Sequence, residues 1–116
     1  MPTRNYHDDL KARLASKEYA ALYLGTAFRE SCHDQDWAAF GLALRNVIEA
    51  QDRDVAQLAR DSGISRQHLY LLFGKNANPT LNTLVPVLDE LNLTIGILPQ
   101  TGIASKKWRE KEELFS

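Results

Sequence analysis

The segment Asp54-Val-Ala-Gln-Leu-Ala-Arg-Asp-Ser-Gly-Ile-Ser-Arg-Gln-His-Leu-Tyr-Leu-Leu-Phe-Gly74 predicts two short helices joined by a tight turn. Apolar residues recur at helical spacing and give each helix a face to bury, formed by Val55, Leu58 and Ala59 in the first and by Leu69, Leu72 and Phe73 in the second. Asp54 and Ser65 are placed to cap the two helices. Gly63 ends the first helix, because glycine adopts a left-handed conformation at little cost.

The order Leu-Ala-x-x-x-Gly-Ile-Ser-x-x-x-Leu-Tyr within this segment is the helix-turn-helix pattern. It resembles the repressor-like (Cro/XRE) branch, in which the second helix lies in the DNA major groove with its N-terminal residues facing base edges. The alternative is an ordinary helical hairpin in a bundle. We favour DNA binding, because the small residue, the turn glycine and the apolar residues must all keep fixed offsets for two helices to cross this closely.

The patterns on either side predict an all-α protein of the lambda-repressor-like class, with an N-terminal helical extension and one short C-terminal β-strand. The helices are predicted near residues 8–15, 17–31, 36–51, 55–62, 66–73 and 81–91, and the strand at 93–98. We divide the chain into the helical extension (1–35), a helix-turn-helix DNA-binding domain (36–98) and a charged tail that we expect to be mobile (99–116).

Several packing details follow from these patterns. The second predicted helix carries Leu22 on its apolar face, and Gly25 within it indicates the close approach of another helix. Gly41, in the helix before the motif, would permit close packing. The last helix is predicted to turn Leu81 inward and to bend at Pro86, which removes one backbone hydrogen bond.

The composition is that of an ordinary globular protein, and 116 residues suffice for one domain with a core and short extensions. No apolar run approaches the roughly 20 residues of a membrane span. The N-terminus lacks the apolar segment of a signal peptide. The single cysteine, Cys32, cannot form an internal disulfide, and we therefore expect a cytoplasmic location.

The net charge is −1, but the charges are unevenly distributed. Residues 53–80 carry four basic and two acidic residues, whereas residues 1–52 carry six basic and eight acidic residues. The modest positive excess therefore falls on the helix-turn-helix, as a DNA-binding face requires. Two copies bound to one duplex would double the number of phosphate contacts.

The start of the second helix of the motif is the predicted base-reading surface. Because Leu69 and Leu72 face the core, the residues between and before them must point elsewhere. Arg66 suits a bidentate contact with guanine, Gln67 suits adenine, and Ser65 can add a phosphate contact at the positive end of the helix. The predicted DNA-binding residues are Ser65, Arg66, Gln67, His68, Tyr70, Leu71, Lys75, Asn76 and Asn78, of which the last three lie in a loop and suit phosphate positioning.

A wider stretch resembles a narrower family. After Gly-Ile-Ser-Arg come Leu-Tyr-x-x-x-x-x-x-x-Asn-Pro, then Thr-Leu and a closing Leu-Asn-Leu, and this order is similar to the antidote (antitoxin) proteins of addiction modules related to the HigA type. The resemblance covers about residues 8–98. It implies autorepression of the operon and a partner, a RelE/HigB-like toxin that is typically a small basic ribonuclease. No cofactor and no membrane partner are expected.

Some of the predicted sites have alternatives. His68 is equally consistent with a plain surface histidine, and Tyr70 with half-buried packing and an exposed hydroxyl. Leu71 is apolar at a position that is often basic or polar in the antidote family, although it could contact a thymine methyl group. Residues 1–35 are expected to bind the toxin or to support its binding surface, since their slightly acidic balance suits a basic partner.

A homodimer is predicted through the strand at 93–98 and the helix before it. A lone strand leaves backbone N–H and C=O groups unpaired, and its side chains Leu93, Ile95 and Ile97 form an apolar face. Pairing with the same strand of a second copy would satisfy both and would set two base-reading helices roughly 34 Å apart on a pseudo-palindromic operator. The alternative is a strand packed on its own domain, with dimerisation elsewhere.

Catalysis and metal binding are not indicated. No nucleophile accompanies a base and an orienting acid. Cys32, His33 and Asp34 include metal-ligand types, but adjacent residues cannot all converge on one ion, and we interpret them as a linker in which Asp34 or Asp36 caps the next helix. The remaining alternatives to an antitoxin are a helix-turn-helix transcriptional regulator without a toxin partner, and a toxin-binding module whose helix-turn-helix is only a scaffold.

Overall fold

The computed structural model describes residues 6–99, and this part of the chain is helical. In chain order the helices are α1 (Tyr6–Leu14), α2 (Lys17–Asp34), α3 (Ala38–Ala50), α4 (Val55–Ser62), α5 (Arg66–Leu72) and α6 (Leu81–Glu90). Each predicted helix is present and only the ends differ; α2, for example, continues past the predicted end at residue 31. The tail predicted at 99–116 lies outside the described residues from position 100 onward.

The β-strand predicted at 93–98 is wrong, because residues 93–99 form neither a strand nor a helix. After α6, Asn92 adopts a left-handed conformation with a φ of 62°, and the Leu93 amide donates to the Leu88 carbonyl at 2.9 Å. A strand needs a neighbour for its backbone N–H and C=O groups. The described part of the chain contains no second strand that could supply one.

The core is organised around α3. This helix buries six side chains, namely Phe40, Ala43, Leu44, Val47, Ile48 and Ala50. The helices α1 and α2 pack against α3, while α4 packs against α5 and α6. Each of the other helices adds buried apolar side chains to the same cluster, among them Leu14, Leu24, Leu58, Leu69 and Leu84. Full burial of one such leucine or isoleucine stabilises the fold by about 1.5–3 kcal/mol relative to exposure.

Aromatic rings fix the contact between α2 and α3. Phe28, Trp37 and Phe40 meet edge to face, with ring centroids between 5.3 and 6.0 Å apart. Further along the same contact, the Asn46 side chain donates to the Tyr23 hydroxyl at 3.1 Å. The edge-to-face arrangement adds to the stabilisation from burial, by about 0.5–1.5 kcal/mol per aromatic pair.

Local side-chain bonds define where α2 and α3 begin. Ser16 caps α2 by accepting from the Tyr19 amide, and its hydroxyl also donates to the Glu18 carboxylate at 3.0 Å. The pKa of Glu18 lies below its ordinary value, because hydrogen bonds from the backbone and then from Ser16 favour the charged form. At the next helix, Asp36 accepts from the Ala38 amide at 3.1 Å, although the cap position itself is held by Trp37, whose side chain makes no cap bond.

Arg53 ties the start of α4 to the end of α6. Its guanidinium donates to the Glu90 carbonyl at 3.0 Å and to the Glu90 carboxylate at 3.2 Å, and it lies 3.6 Å from the Asp61 carboxylate. The two carboxylates and the guanidinium are only partly accessible to water, with Arg53 about one quarter exposed. This cation is therefore used to join helices.

Two side chains predicted to face inward are exposed. Leu22 is 71% exposed and Leu81 is 66% exposed. The buried side chains of α2 include Ala20 and Leu24, and Leu22 lies two residues from each, on the opposite side of a helix with 3.6 residues per turn. Leu81 is the first residue of α6, whose buried face starts at Leu84.

Gly41 marks the place where α5 comes closest to α3. A Cβ atom at Gly41 would overlap the Leu72 carbonyl oxygen and would lie 3.2 Å from the Phe73 Cα. This confirms that Gly41 permits close packing. The same expectation for Gly25 is wrong, because a Cβ atom there would meet nothing within 4 Å. The missing side chain at Gly41 therefore sets how closely α5 can lie against the core.

We predict that Gly41→Ala destabilises the fold by about 1–3 kcal/mol, since the added methyl group must push the end of α5 away from α3. Gly25→Ala is the matched control. In an open helical position this change should stabilise the fold by roughly 0.5–1 kcal/mol, because glycine loses more backbone freedom on folding. Urea unfolding of both variants measures the difference. An unchanged or raised stability for Gly41→Ala would contradict the close contact.

Candidate nucleic-acid interface

The connection between α4 and α5 is built by local hydrogen bonds. Asp54 caps α4 by accepting from the Ala56 amide at 3.4 Å. Gly63 ends α4 with a φ of 75°, and its amide donates to the Ala59 carbonyl at 3.0 Å. The next amide, of Ile64, donates to the Ser62 hydroxyl at 3.3 Å. The turn therefore follows the local signals predicted from the sequence.

The orientation of α5 is fixed by its buried side. Leu69 is fully buried and Leu72 is 5% exposed, while the neighbouring Phe73 packs against the core. These contacts and the close approach at Gly41 leave the opposite side of α5 to solvent. The structure exposes all nine residues predicted to contact DNA, namely Ser65, Arg66, Gln67, His68, Tyr70, Leu71, Lys75, Asn76 and Asn78.

Ser65 and His68 are hydrogen-bonded to each other at the start of α5. The Ser65 hydroxyl oxygen accepts from the His68 amide at 3.1 Å and lies 2.7 Å from Nδ1 of the His68 ring. When the hydroxyl donates to Nδ1, the ring carries its proton on Nε2, which points away from Ser65. The hydrogen bonds to Ser65 therefore hold the His68 side chain in place at the exposed start of α5.

The second turn of α5 presents an apolar surface. Tyr70 is 49% exposed and its ring meets the Phe73 ring edge to face, with centroids 6.2 Å apart. Leu71 is 61% exposed. Tyr70 thus combines the predicted half-buried packing with an accessible side chain, and Leu71 is available for an apolar contact.

The basic side chains near α5 differ in whether they already form ion pairs within the chain. Arg53 is engaged with Asp61 and Glu90, as described above. Arg60, Arg66 and Lys75 form no ion pair with another residue of the range 6–99. Each is exposed. The positive excess that the sequence predicts for this region therefore includes three side chains that an anion can reach.

The three residues predicted at a dimer interface do not share one environment. Leu93 packs against the core, Ile95 is 41% exposed and Ile97 is 99% exposed. Beside them lies a cavity of about 410 Å³ between α2, α6 and the segment after α6. Its walls include Leu24, Phe28, Phe40, Leu88, Ile95 and Leu98, with Arg29 and Cys32 on the α2 side.

Sequence reasoning missed a groove between α2 and α3, here called the α2–α3 groove. Its volume is about 430 Å³, and it is lined by Tyr19, Leu22, Tyr23, Thr26, Ala27, Glu30, Ala39 and Ala43. The spacing of Tyr19, Leu22, Tyr23 and Ala27 predicts one apolar face on α2, but it favours packing on neighbouring helices, and the alanines of α3 carry no functional pattern. Only the packing of the two helices shows that these residues meet at a surface.

Residues 6–99 contain no group of three or more His, Cys, Asp or Glu side chains that could hold a metal ion. None of the helices in this range is long and apolar enough to cross a membrane.

Comparison with known proteins decides the family. A family model described as "Probable addiction module antidote protein" matches residues 5–99. The chain belongs to this family. Membership among antidote proteins agrees with the antitoxin role predicted from the sequence, implies a toxin partner, and indicates a regulatory protein rather than an enzyme.

One relative of this antidote protein is an uncharacterized protein of Haemophilus influenzae (strain Rd). The two chains are 35% identical over 85 residues, which is 73% of this chain and 81% of the relative. No solved structure matches the antidote protein.

We predict that Ser65→Ala destabilises the antidote protein by about 1 kcal/mol, because the cap of α5 is lost. Thr80→Ala is the matched control, since Thr80 stands at the start of α6 but its side chain makes no capping bond. Thermal unfolding of the two variants should therefore show the larger loss for Ser65→Ala. Equal losses would mean that the hydroxyl of Ser65 does not hold the start of α5.

Proposed function

We propose that the protein is the antitoxin of a toxin–antitoxin module. It binds and neutralises a RelE/HigB-like toxin and represses its own operon by sequence-specific binding to operator DNA through a Cro/XRE-type helix-turn-helix. The observation that carries the proposal is the match of residues 5–99 to a family of addiction module antidote proteins. An antitoxin that binds such a toxin and an operator acts in the cytoplasm, and this location is part of the proposal.

The DNA-binding part of the proposal is supported by the surface of α5. The first turn presents Arg66 and Gln67 to solvent, and these side chains suit guanine and adenine edges. Ser65, at the start of α5, is exposed and can add a phosphate contact at the positive end of the helix. Lys75 in the following loop is exposed and suits phosphate positioning.

Homodimerisation is part of the proposal, although the strand that first motivated it is absent. Ile97 is almost fully exposed, and the next residue, Leu98, is 81% exposed and lines the apolar cavity of about 410 Å³. In a two-fold symmetric contact, these side chains of one copy can pack at the cavity of the other, so that each copy covers the apolar surface of its partner. Ile95, at the wall of the cavity, would belong to the same contact.

The central experiment is co-expression of the tagged protein with the reading frame next to its gene. We expect a small basic protein to copurify with it, and growth inhibition by that protein to be relieved. A regulator without a toxin would bind its own promoter but capture no such partner. A scaffold would capture the partner but show no salt-dependent binding to the promoter.

We predict that Arg66→Ala or Gln67→Ala lowers the discrimination between operator and random DNA, whereas Lys75→Ala weakens binding to both about equally. A good bidentate base contact supplies roughly 1–3 kcal/mol of discrimination, while a phosphate contact mainly sets the salt dependence. Titrations at two salt concentrations measure both effects. If Arg66→Ala leaves the ratio of specific to random affinity unchanged, α5 is not the base-reading helix.

We predict that Ile97→Lys shifts the protein from dimer to monomer and weakens operator binding much more than toxin binding. The replaced side chain is almost fully exposed within one chain, so the fold of the monomer should be unaffected. Leu22→Lys, at another exposed leucine, should leave the dimer intact. Sedimentation of both variants checks this, and an undisturbed dimer in Ile97→Lys would rule out the proposed contact.

A further inference from the structure

The α2–α3 groove has an apolar surface that residues 6–99 leave uncovered. Ala39 and Ala43 keep its floor low, and Leu22 forms one rim while 71% exposed. On α3, one turn from Ala39, Leu42 is 59% exposed. A helix in contact with water normally carries polar residues on its outward face. Leu22 lines the groove, and Leu42 lies one turn from Ala39 on the neighbouring helix without lining it. Exposed apolar side chains grouped in this way are typical of a surface that binds another molecule.

One end of the groove is acidic. Glu30 lines it, and Asp34 follows one turn later in α2, where side chains four residues apart are neighbours. Both carboxylates are exposed, and neither forms an ion pair with another residue of 6–99. The nearby Arg29 lines the cavity on the other side of α2 instead.

These two carboxylates are unfavourable at this end of α2, although His33 lies in the same last turn. They lie in its final turns, where the negative end of the helix dipole repels anions. They also repel each other, as like charges at this spacing do. A cation bound between Glu30 and Asp34 would relieve both effects, so the charge of this end of the groove favours a basic occupant.

We propose that the α2–α3 groove is the toxin-binding surface and receives an amphipathic, basic segment of the partner. An apolar side chain of that segment lies between Leu22 and Leu42 over the alanine floor, and its lysine or arginine side chains meet Glu30 and Asp34. This inference rests on the proposed antitoxin function and adds the surface and the chemistry of the segment it binds.

The groove and the proposed DNA-binding helix lie on different sides of α3. Gly41 faces the end of α5, whereas Ala39 and Ala43 line the groove. Each alanine is two residues from Gly41, which corresponds to about 200° around an α-helix. Toxin and operator can therefore be bound at the same time, and changes in the groove should leave operator binding intact.

The test uses the full-length protein co-expressed with the adjacent reading frame, as above. Leu22→Lys and Glu30→Lys should each lower the affinity for the captured partner by about tenfold or more, as for residues central to an interface. Leu81→Lys, at a leucine of similar exposure outside the groove, should change it little. Operator affinity and thermal stability should stay within about twofold and a few degrees of wild type in all three. Glu30→Gln should make partner binding less sensitive to salt.

A second measurement, by photo-crosslinking, keeps the charges and the apolar character of the groove. A photo-crosslinking phenylalanine analogue in place of Leu42 should crosslink to the captured partner, and the same analogue in place of Leu81 should not. Two results would contradict toxin binding in the α2–α3 groove: capture of the partner without a crosslink at Leu42, or unchanged partner affinity in Leu22→Lys and Glu30→Lys. Either result would leave the antitoxin function standing. If the wild-type protein captures no partner, the antitoxin function and this inference fail together.

Discussion

The packing of α5 against α3 at Gly41 is the contact on which the candidate interface depends. Because Gly41 has no side chain, the Leu72 carbonyl can approach α3 directly, and the buried Leu69 and Leu72 then point into the core. Their burial leaves Arg66 and Gln67 on the solvent side of α5. A bulkier residue in place of Gly41 would thus displace α5 and move its exposed side chains, although it contacts none of them.

The helices could be predicted because their signals are local. Ser16, Gly63 and Ser65 act within a few residues of their own positions, through side-chain or backbone hydrogen bonds that a short stretch of sequence specifies. The strand at 93–98 could not be assigned in this way. Alternating apolar residues describe a strand only if a neighbouring strand exists, and that depends on the whole fold.

The candidate surfaces were predictable to different degrees for the same reason. The exposed side of α5 follows from the spacing of its buried leucines, so one helix suffices to identify it. The α2–α3 groove can be recognised only when the packing of both helices is known, because the apolar spacing of α2 alone favours burial of Leu22. Periodicity shows that a helix has an apolar face, but it does not distinguish a face that packs inside the chain from one left for a partner.

The placement of the two surfaces constrains how a toxin could influence repression. If the toxin lies in the α2–α3 groove and DNA lies along α5, the two ligands do not compete for the same atoms. Any effect of one on the affinity of the other must then pass through α3 or through the dimer contact, and it must be reciprocal. The Gly41 contact is one direct connection between the two sides, since α3 lines the groove on one side and contacts the end of α5 on the other. A shift of α3 caused by a bound toxin would therefore tilt α5 in each copy, and in a dimer it would change the spacing of two base-reading helices together.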